Sequence, residues 1–85
     1  MTQKISINLL YFAFIKDITR SKNELIELPY GTSVEKLLEI LLAKYPKLSD
    51  AIDTIRISIN YKVVGLDAIL KEGDEVALLP PISGG

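Results

Sequence analysis

The fold is decided by residues 31–46, GTSVEKLLEILLAKYP, which contain the one long helix that the sequence predicts. Apolar residues recur there at helical spacing, so they form a continuous stripe along one helix face. The stripe consists of Val34, Leu37, Leu38, Leu41, Leu42 and Tyr45. At its start, Thr32 and Glu35 fit a capping box, although Ser33 could be the N-cap instead. Pro46 ends the helix.

Two strands are predicted before this helix. Residues 4–12, KISINLLYF, begin with an alternation of apolar and polar side chains, which indicates a strand with one buried face. The core face is predicted to carry Ile5, Ile7, Leu9 and Tyr11. Because side chains alternate, Phe12 falls on the opposite, less buried face. Residues 23–29, NELIELP, are predicted to be the second strand, and the polar residues 16–22, KDITRSK, a loop between the two.

Two or three strands are predicted after the helix. Residues 54–60, TIRISIN, alternate again, with three isoleucines toward the core. Residues 61–64, YKVV, are predicted to form a short return strand after a turn near Asn60-Tyr61. Residues 75–79, EVALL, form the last strand, because Pro80 and Pro81 supply no backbone N–H for further pairing. In this strand Val76 and Leu78 alternate with Glu75, Ala77 and Leu79, so Leu79 falls off the core face.

This order of elements is typical of the α+β class. The small fold with this order is the ubiquitin-like β-grasp, here predicted as a mixed sheet of four to five strands with one main helix packed on one face. A chain of 85 residues has room for one such core. We therefore predict a β-grasp domain over residues 1–81 and a flexible Gly-Gly tail over residues 82–85.

The composition excludes most autonomous active sites. The chain has no cysteine and no histidine, which removes the thiol nucleophile, the usual general base and the commonest metal ligand. The glycines are too scattered for a phosphate-binding loop. The acids Glu72, Asp74 and Glu75 lack the spacing of a calcium loop and are predicted to lie at a solvent-exposed hairpin tip. We therefore expect neither a bound metal nor a bound cofactor.

Charge and hydropathy favour a protein partner over nucleic acid or a membrane. The 10 basic and 11 acidic residues give a net charge of −1 without any basic block. Ser6 and Asn8 interrupt the N-terminal apolar run, which is also too short to span a bilayer, so a cytoplasmic protein is expected. Because 48% of the residues are hydrophobic, part of the apolar surface is expected to meet a partner.

The last two residues, Gly84 and Gly85, are the candidate reactive end of the chain. Without Cβ atoms, they can lie extended in a slot too narrow for side chains. A free carboxylate is a poor electrophile, but another protein can activate it as an acyl-adenylate. Pro80 and Pro81 stiffen the base of the tail, which reduces the entropy lost when it enters a partner. At this point an inert flexible end stays open as the alternative.

Three segments carry a resemblance to a known family: INLLYFAFIKD (residues 7–17), TSVEKLLEIL (residues 32–41) and GDEVALLPPISGG (residues 73–85). In this order they resemble the small subunit of molybdopterin synthase over nearly the whole chain. The resemblance implies a sulfur carrier whose terminal residue, here Gly85, is adenylated by a ubiquitin-activating-like enzyme that uses Mg-ATP. A sulfur donor then forms a thiocarboxylate, which donates sulfur to cyclic pyranopterin monophosphate in molybdenum cofactor biosynthesis.

The same resemblance implies partners and a docking face. The partners are the large synthase subunit, in a heterotetramer, the adenylating enzyme and the sulfur donor. The family's docking face maps onto Phe12, Val63, Leu79, Pro80 and Pro81. Ile82 is predicted to lie along a groove of the partner. The chain is then the sulfur-donating subunit of an enzyme complex, without catalytic side chains of its own.

Two other functions stay open on the sequence. A ubiquitin-like modifier passes through the same acyl-adenylate before Gly85 is joined to lysines of other proteins. A sulfur carrier of the thiamine pathway shares the fold and the Gly-Gly end, but such carriers usually lack the proline pair found here at residues 80–81.

Overall fold

Alternating side chains build a sheet of five strands within residues 3–81, the part of the chain that the computed structural model describes. The strands are β1 (Lys4–Tyr11), β2 (Asn23–Pro29), β3 (Arg56–Ile59), β4 (Lys62–Val64) and β5 (Glu75–Leu79). The α-helices of this region are α1 (Phe14–Thr19) and α2 (Val34–Lys44), and the 3-10 turns Pro46–Asp50 and Ile52–Thr54 join α2 to β3. The predicted α+β architecture is confirmed. The predicted tail over residues 82–85 lies outside the described residues, so the domain division stays a prediction.

The strands lie side by side in the order β2-β1-β5-β3-β4. β1 and β5 run parallel, with Asn8 opposite Glu75 and Tyr11 opposite Leu78. The other neighbouring pairs are antiparallel. The first and the last strand are thus hydrogen-bonded to each other inside the sheet. Because parallel strands end at the same edge, the residues that follow β1 and those that follow β5 leave the sheet next to each other.

Helix α2 starts and ends where the sequence predicts. Of the two candidate N-caps, Ser33 is the cap, because its hydroxyl accepts the Lys36 N–H at 3.1 Å. Thr32 instead donates its hydroxyl hydrogen to the carbonyl of Pro29. Pro46 follows the helix and begins a 3-10 turn. Within the described residues, neither α2 nor any other helix is long and apolar enough to cross a membrane.

The core lies between α2 and one face of the sheet. Its strand residues are Ile5, Ile7, Leu9, Tyr11, Leu28, Ile57, Val76 and Leu78. Its residues from α2 are Val34, Leu37, Leu38 and Leu41. Leu42 and Tyr45, the last members of the predicted stripe, are only half-buried. Since burying one large apolar side chain contributes roughly 1.5–3 kcal/mol, this stripe holds α2 on the sheet.

The prediction of a loop over residues 16–22 is wrong, because α1 continues through Thr19. Ile15 is fully buried in the core, and Ile18 packs against it from the same helix. These two isoleucines hold the short helix in place, although its outer side is polar enough to be typical of a loop. Arg20 ends the helix in the left-handed region, with φ 59°.

A polar cluster connects β1, β2 and the end of α2. The Glu24 carboxylate accepts hydrogen bonds from the hydroxyls of Tyr11, at 2.8 Å, and Tyr45, at 3.1 Å. The Lys44 ammonium donates to the same carboxylate. Burial alone would raise the pKa of Glu24, but the hydrogen bonds from Lys44 and the tyrosines outweigh it and lower that pKa. Burial, followed by hydrogen bonding to Glu24, raises the pKa of Tyr11.

We expect the free energy of unfolding to fall in acid because of this cluster. The pKa of Glu24 in the folded state is below its ordinary value of 4.5. Ionised Glu24 therefore makes its full contribution to the free energy of unfolding above pH 4.5, and this contribution is lost as the pH falls through the folded-state pKa. Glu24→Gln should lower the free energy of unfolding at pH 7 by about 2 kcal/mol, the scale of hydrogen bonds to a charged group. It should also remove this part of the acid dependence.

Urea unfolding at several pH values measures both effects. The matched control is Glu27→Gln, which changes an exposed glutamate of the same strand and should leave the profile close to that of the wild type. An acid dependence that is unchanged in Glu24→Gln would contradict the role of the cluster.

Candidate docking face

The side chains that alternate with the core residues form the second face of the sheet, which we call the open face. Its central residues are Asn8, Leu10, Leu25, Ser58, Val63, Glu75, Ala77 and Leu79, with Arg56 beside Leu79 and with Phe12 and Tyr61 at its rim. One row of neighbours crosses four strands and contains Leu10, Ala77, Ser58 and Val63. Its two central members have small side chains and are buried, so the middle of the open face is a hollow of about 260 Å³.

Three predicted docking residues, Phe12, Val63 and Leu79, line this hollow together. Phe12 is 45% exposed and Val63 is 62% exposed, whereas Leu79 is half-buried at the end of β5. Pro80 is half-buried, and the exposed Pro81 lies in an adjoining depression that also contains Val63. The structure therefore brings these residues onto one surface, and their role in docking stays a prediction.

The predicted tail residues Ile82, Gly84 and Gly85 lie outside the described residues. Their predicted roles, lying along the partner groove for Ile82, threading for Gly84 and reaction for Gly85, stay predictions. The structure does fix the root of the tail, because β5 ends at Leu79, directly before two prolines that cannot continue the pairing. That root lies at the same edge of the sheet as Phe12, since β1 and β5 run parallel.

Two residues at the rim hold backbone conformations that usually belong to glycine. Ala13, directly after Phe12, has φ 53°, and Tyr61 has φ 73°. Asn60, with φ 50°, and Tyr61 form the two-residue turn between β3 and β4. A turn with two positive φ angles matches the twist of a hairpin and favours Asn followed by Gly. For a residue with a Cβ atom, the left-handed region costs roughly 1–2 kcal/mol.

The prediction that Glu72, Asp74 and Glu75 lie at a solvent-exposed hairpin tip is right for Glu72 alone, which is exposed in a turn. It is wrong for the hairpin and for Asp74, because β4 pairs with β3 and is not a neighbour of β5 in the sheet. Asp74 is only 8% exposed. Its carboxylate accepts hydrogen bonds from the side-chain amide of Asn60 at 3.1 Å and from the backbone N–H of Lys71 at 2.8 Å. Asp74 thus anchors the turn at the rim of the open face.

Charged residues border the open face on two sides. Lys16 and Lys22 line a depression that also contains Phe12, at the end of β1. On the side of the β3–β4 turn, Glu75 lines the central hollow beside Tyr61. The exposed Arg56 lies opposite Leu79 and lines a depression with Val63 and Pro81. A partner of this face therefore meets an apolar centre, three basic side chains and one carboxylate.

The sequence interpretation missed two exposed apolar side chains of the open face. Tyr61 is 89% exposed and Leu25 is 74% exposed. Alternation could have indicated Leu25, because Ile26 and Leu28 are the core residues of the same strand. The predicted turn near Asn60-Tyr61 is confirmed, but the exposure of Tyr61 within it was not predicted.

Residues 9–85 match the ThiS family. The chain belongs to the ThiS family. A relative of this ThiS-family chain, the molybdopterin synthase sulfur carrier subunit of Mycobacterium tuberculosis, is 34% identical over 82 residues, which cover 95% of this chain and 99% of that protein. The resemblance to small subunits of molybdopterin synthase is thereby confirmed.

Two solved structures are similar to this ThiS-family chain. The solution structure of small archaeal modifier protein 1 from Methanosarcina acetivorans is 27% identical with a TM-score of 0.81, and the match covers 98% of this chain and 99% of that one. A chain in the complex of subunits 1 and 2 of molybdopterin-converting factor from Helicobacter pylori is 26% identical with a TM-score of 0.69, covering 95% and 100%. These similarities confirm the ubiquitin-like β-grasp fold.

Removing the buried carboxylate should loosen the rim of the open face. Asp74→Ala leaves the amide of Asn60 and the N–H of Lys71 without their acceptor, so we expect a loss of about 2–3 kcal/mol in the free energy of unfolding. Thermal or urea unfolding measures this loss. Asp50→Ala, which changes an exposed acid, should stay within about 0.5 kcal/mol of the wild type. Equal, small effects at both positions would show that Asp74 does not anchor the turn.

Proposed function

We propose that this chain is the sulfur carrier subunit of a molybdopterin synthase. The observation that supports this function most directly is the parallel pairing of β1 and β5, which puts Phe12 and the root of the tail at one edge of the sheet. A protein that binds the open face therefore receives the tail at the same time. The relative from Mycobacterium tuberculosis, which matches over 95% of the chain, bears the name of this function.

The reaction that we propose takes place at the carboxyl group of Gly85. An activating enzyme transfers AMP from Mg-ATP to the carboxylate and releases pyrophosphate. A sulfur donor then displaces AMP, which leaves a thiocarboxylate. The sulfur passes to cyclic pyranopterin monophosphate, and water restores the carboxylate. With no cysteine and no histidine in its sequence, the chain carries sulfur on its terminus, and its partners supply the acid–base groups, the nucleotide and the metal ion.

The large synthase subunit is the proposed occupant of the open face. In the Helicobacter pylori structure, the similar chain belongs to a complex of subunits 1 and 2 of molybdopterin-converting factor. The hollow between Phe12, Val63 and Leu79 fits an apolar side chain of a partner, the kind of contact that dominates binding energy. We propose a heterotetramer with two copies of this chain on a dimer of large subunits, located in the cytoplasm. Pro81 and Ile82 then continue from the open face into the partner.

A modifier function is the second candidate, and one observation favours it. The chain is 27% identical to small archaeal modifier protein 1 from Methanosarcina acetivorans, with a TM-score of 0.81. Both functions begin with the same acyl-adenylate and differ in the nucleophile that follows, sulfur for a carrier and a lysine amine for a modifier. The form of Gly85 in the cell therefore separates the two functions.

The carrier function predicts a sulfur atom at the C-terminus. Intact-protein mass spectrometry of the chain isolated from its own host should show a species heavier by the mass difference between sulfur and oxygen, and fragmentation should place it on Gly85. Deletion of Gly84 and Gly85 should abolish the species and leave thermal unfolding unchanged. An unmodified carboxylate, even after incubation with the activating enzyme, Mg-ATP and a sulfur donor, would exclude the carrier function. A ladder of conjugates through Gly85 would establish the modifier instead.

A charge at the rim of the hollow should disrupt docking. Phe12→Asp is expected to weaken binding of the large subunit roughly 30-fold or more, the scale of a central apolar contact. Leu66→Asp is the matched control, because Leu66 is similarly exposed, at 53%, but does not line the hollow. Isothermal titration calorimetry measures both affinities, and equal losses in the two variants would argue against docking through the open face.

A further inference from the structure

Tyr61 combines high exposure with an unfavourable backbone conformation. It occupies the second position of the β3–β4 turn, where a positive φ angle favours glycine, and its own φ is 73°. The residue is 89% exposed, so it buries little surface against the rest of the chain. The residue therefore weakens the turn in which it stands. Strain of this kind persists at binding sites, where it contributes to function instead of stability.

The backbone around Tyr61 is held firmly. The N–H of Asn60 donates to the carbonyl of Glu75 at 2.8 Å, and the N–H of Glu75 donates to the side-chain oxygen of Asn60 at 3.0 Å. The buried Asp74 accepts a hydrogen bond from the side-chain amide of the same asparagine. The sheet therefore fixes the backbone position from which the Tyr61 side chain leaves the turn, at the rim of the open face.

Glu75 is the charged neighbour of this ring. Both residues line the hollow that contains Phe12, Val63 and Leu79. Glu75 is half-buried, and within residues 3–81 it forms no ion pair with a lysine or an arginine. Glu75 also raises the pKa of the Tyr61 phenol, through hydrogen bonding and then through its negative charge. An exposed aromatic ring thus lies beside a carboxylate without a cationic partner in the described chain.

We propose that Tyr61 and Glu75 form a subsite that takes an arginine side chain of the large subunit when the open face is occupied. The proposal rests on the proposed function and names the contact that deepens it. A guanidinium group can stack on the face of the tyrosine ring while its N–H groups, which lie in its own plane, pair with the carboxylate. The more compact ammonium of lysine does this less well. The subsite borders the apolar hollow, so a partner seated on Phe12 and Val63 also covers it.

The test compares stability and affinity in the same variants. Tyr61→Gly and Tyr61→Asn place residues that accept positive φ in the turn, so both should keep or raise the melting temperature. Both should weaken binding of the purified large subunit about tenfold, the scale of a partly desolvated cation–π contact. Tyr61→Phe keeps the ring and should bind within about threefold of the wild type. If a variant is more stable than the wild type but binds the large subunit less tightly, misfolding cannot explain the loss of affinity.

The charge is tested separately. Glu75→Gln should weaken binding and reduce its dependence on salt, because the ion pair is removed. The double variant Tyr61→Gly, Glu75→Gln should lose less affinity than the two single losses combined, since both residues contact one arginine. The controls are Tyr30→Asn, which changes an exposed tyrosine that does not line the hollow, and Glu39→Gln on α2. Both should bind like the wild type.

The outcomes separate this inference from the proposed function. Wild-type affinity in Tyr61→Gly would overturn the subsite and leave the carrier function intact. Weaker binding in Tyr61→Gly with no change in Glu75→Gln would also overturn it, because the ring would then be an apolar contact only. If the wild-type chain acquires a thiocarboxylate but does not bind the large subunit, docking through the open face fails and the subsite fails with it.

Discussion

Parallel hydrogen bonding between β1 and β5 joins the two halves of the sheet, because β2 pairs only with β1 on one side and β3 and β4 lie on the other. The core depends on it, since the buried residues of both strands face α2. The site depends on it as well. Parallel strands end at the same edge, so one constraint places Phe12 at the same edge of the sheet as the prolines that precede the predicted tail. The stability of the core and the proposed docking thus depend on the same pair of strands.

The larger elements could be predicted because their patterns are long. Three turns of apolar spacing define α2, and a clear alternation defines β1. Helix α1 could not be predicted, because six residues contain less than two turns of any pattern and its stability comes from Ile15, which is buried among elements distant in sequence. The burial of Asp74 could not be predicted either, because its hydrogen-bond partner Asn60 follows another strand and is distant in sequence.

The candidate site was predictable only in part. Alternation alone placed Phe12 and Leu79 away from the core, whereas Val63 came from the family resemblance, because β4 is too short to show a pattern. Tyr61 was missed because its exposure and its strain follow from a turn of two residues, which is set by the pairing of Ile59 with Lys62. The turn preference for glycine at a position with positive φ is not followed at Tyr61, at the rim of the open face. We expect natural sequences to depart from such preferences where binding matters more than stability.

The central place of β5 also has a consequence for how the protein is made in the cell. Until β5 has been synthesised and has left the ribosome, no strand joins the β1–β2 pair to the β3–β4 pair. The pairing of β1 with β5 joins residues 8–11 to residues 75–78, so the sheet cannot close until β5 has been synthesised. A chain interrupted before β5 cannot complete the sheet. Every folded copy therefore carries the strand that leads to Pro80, and a partner that recognises the folded open face does not bind truncated products.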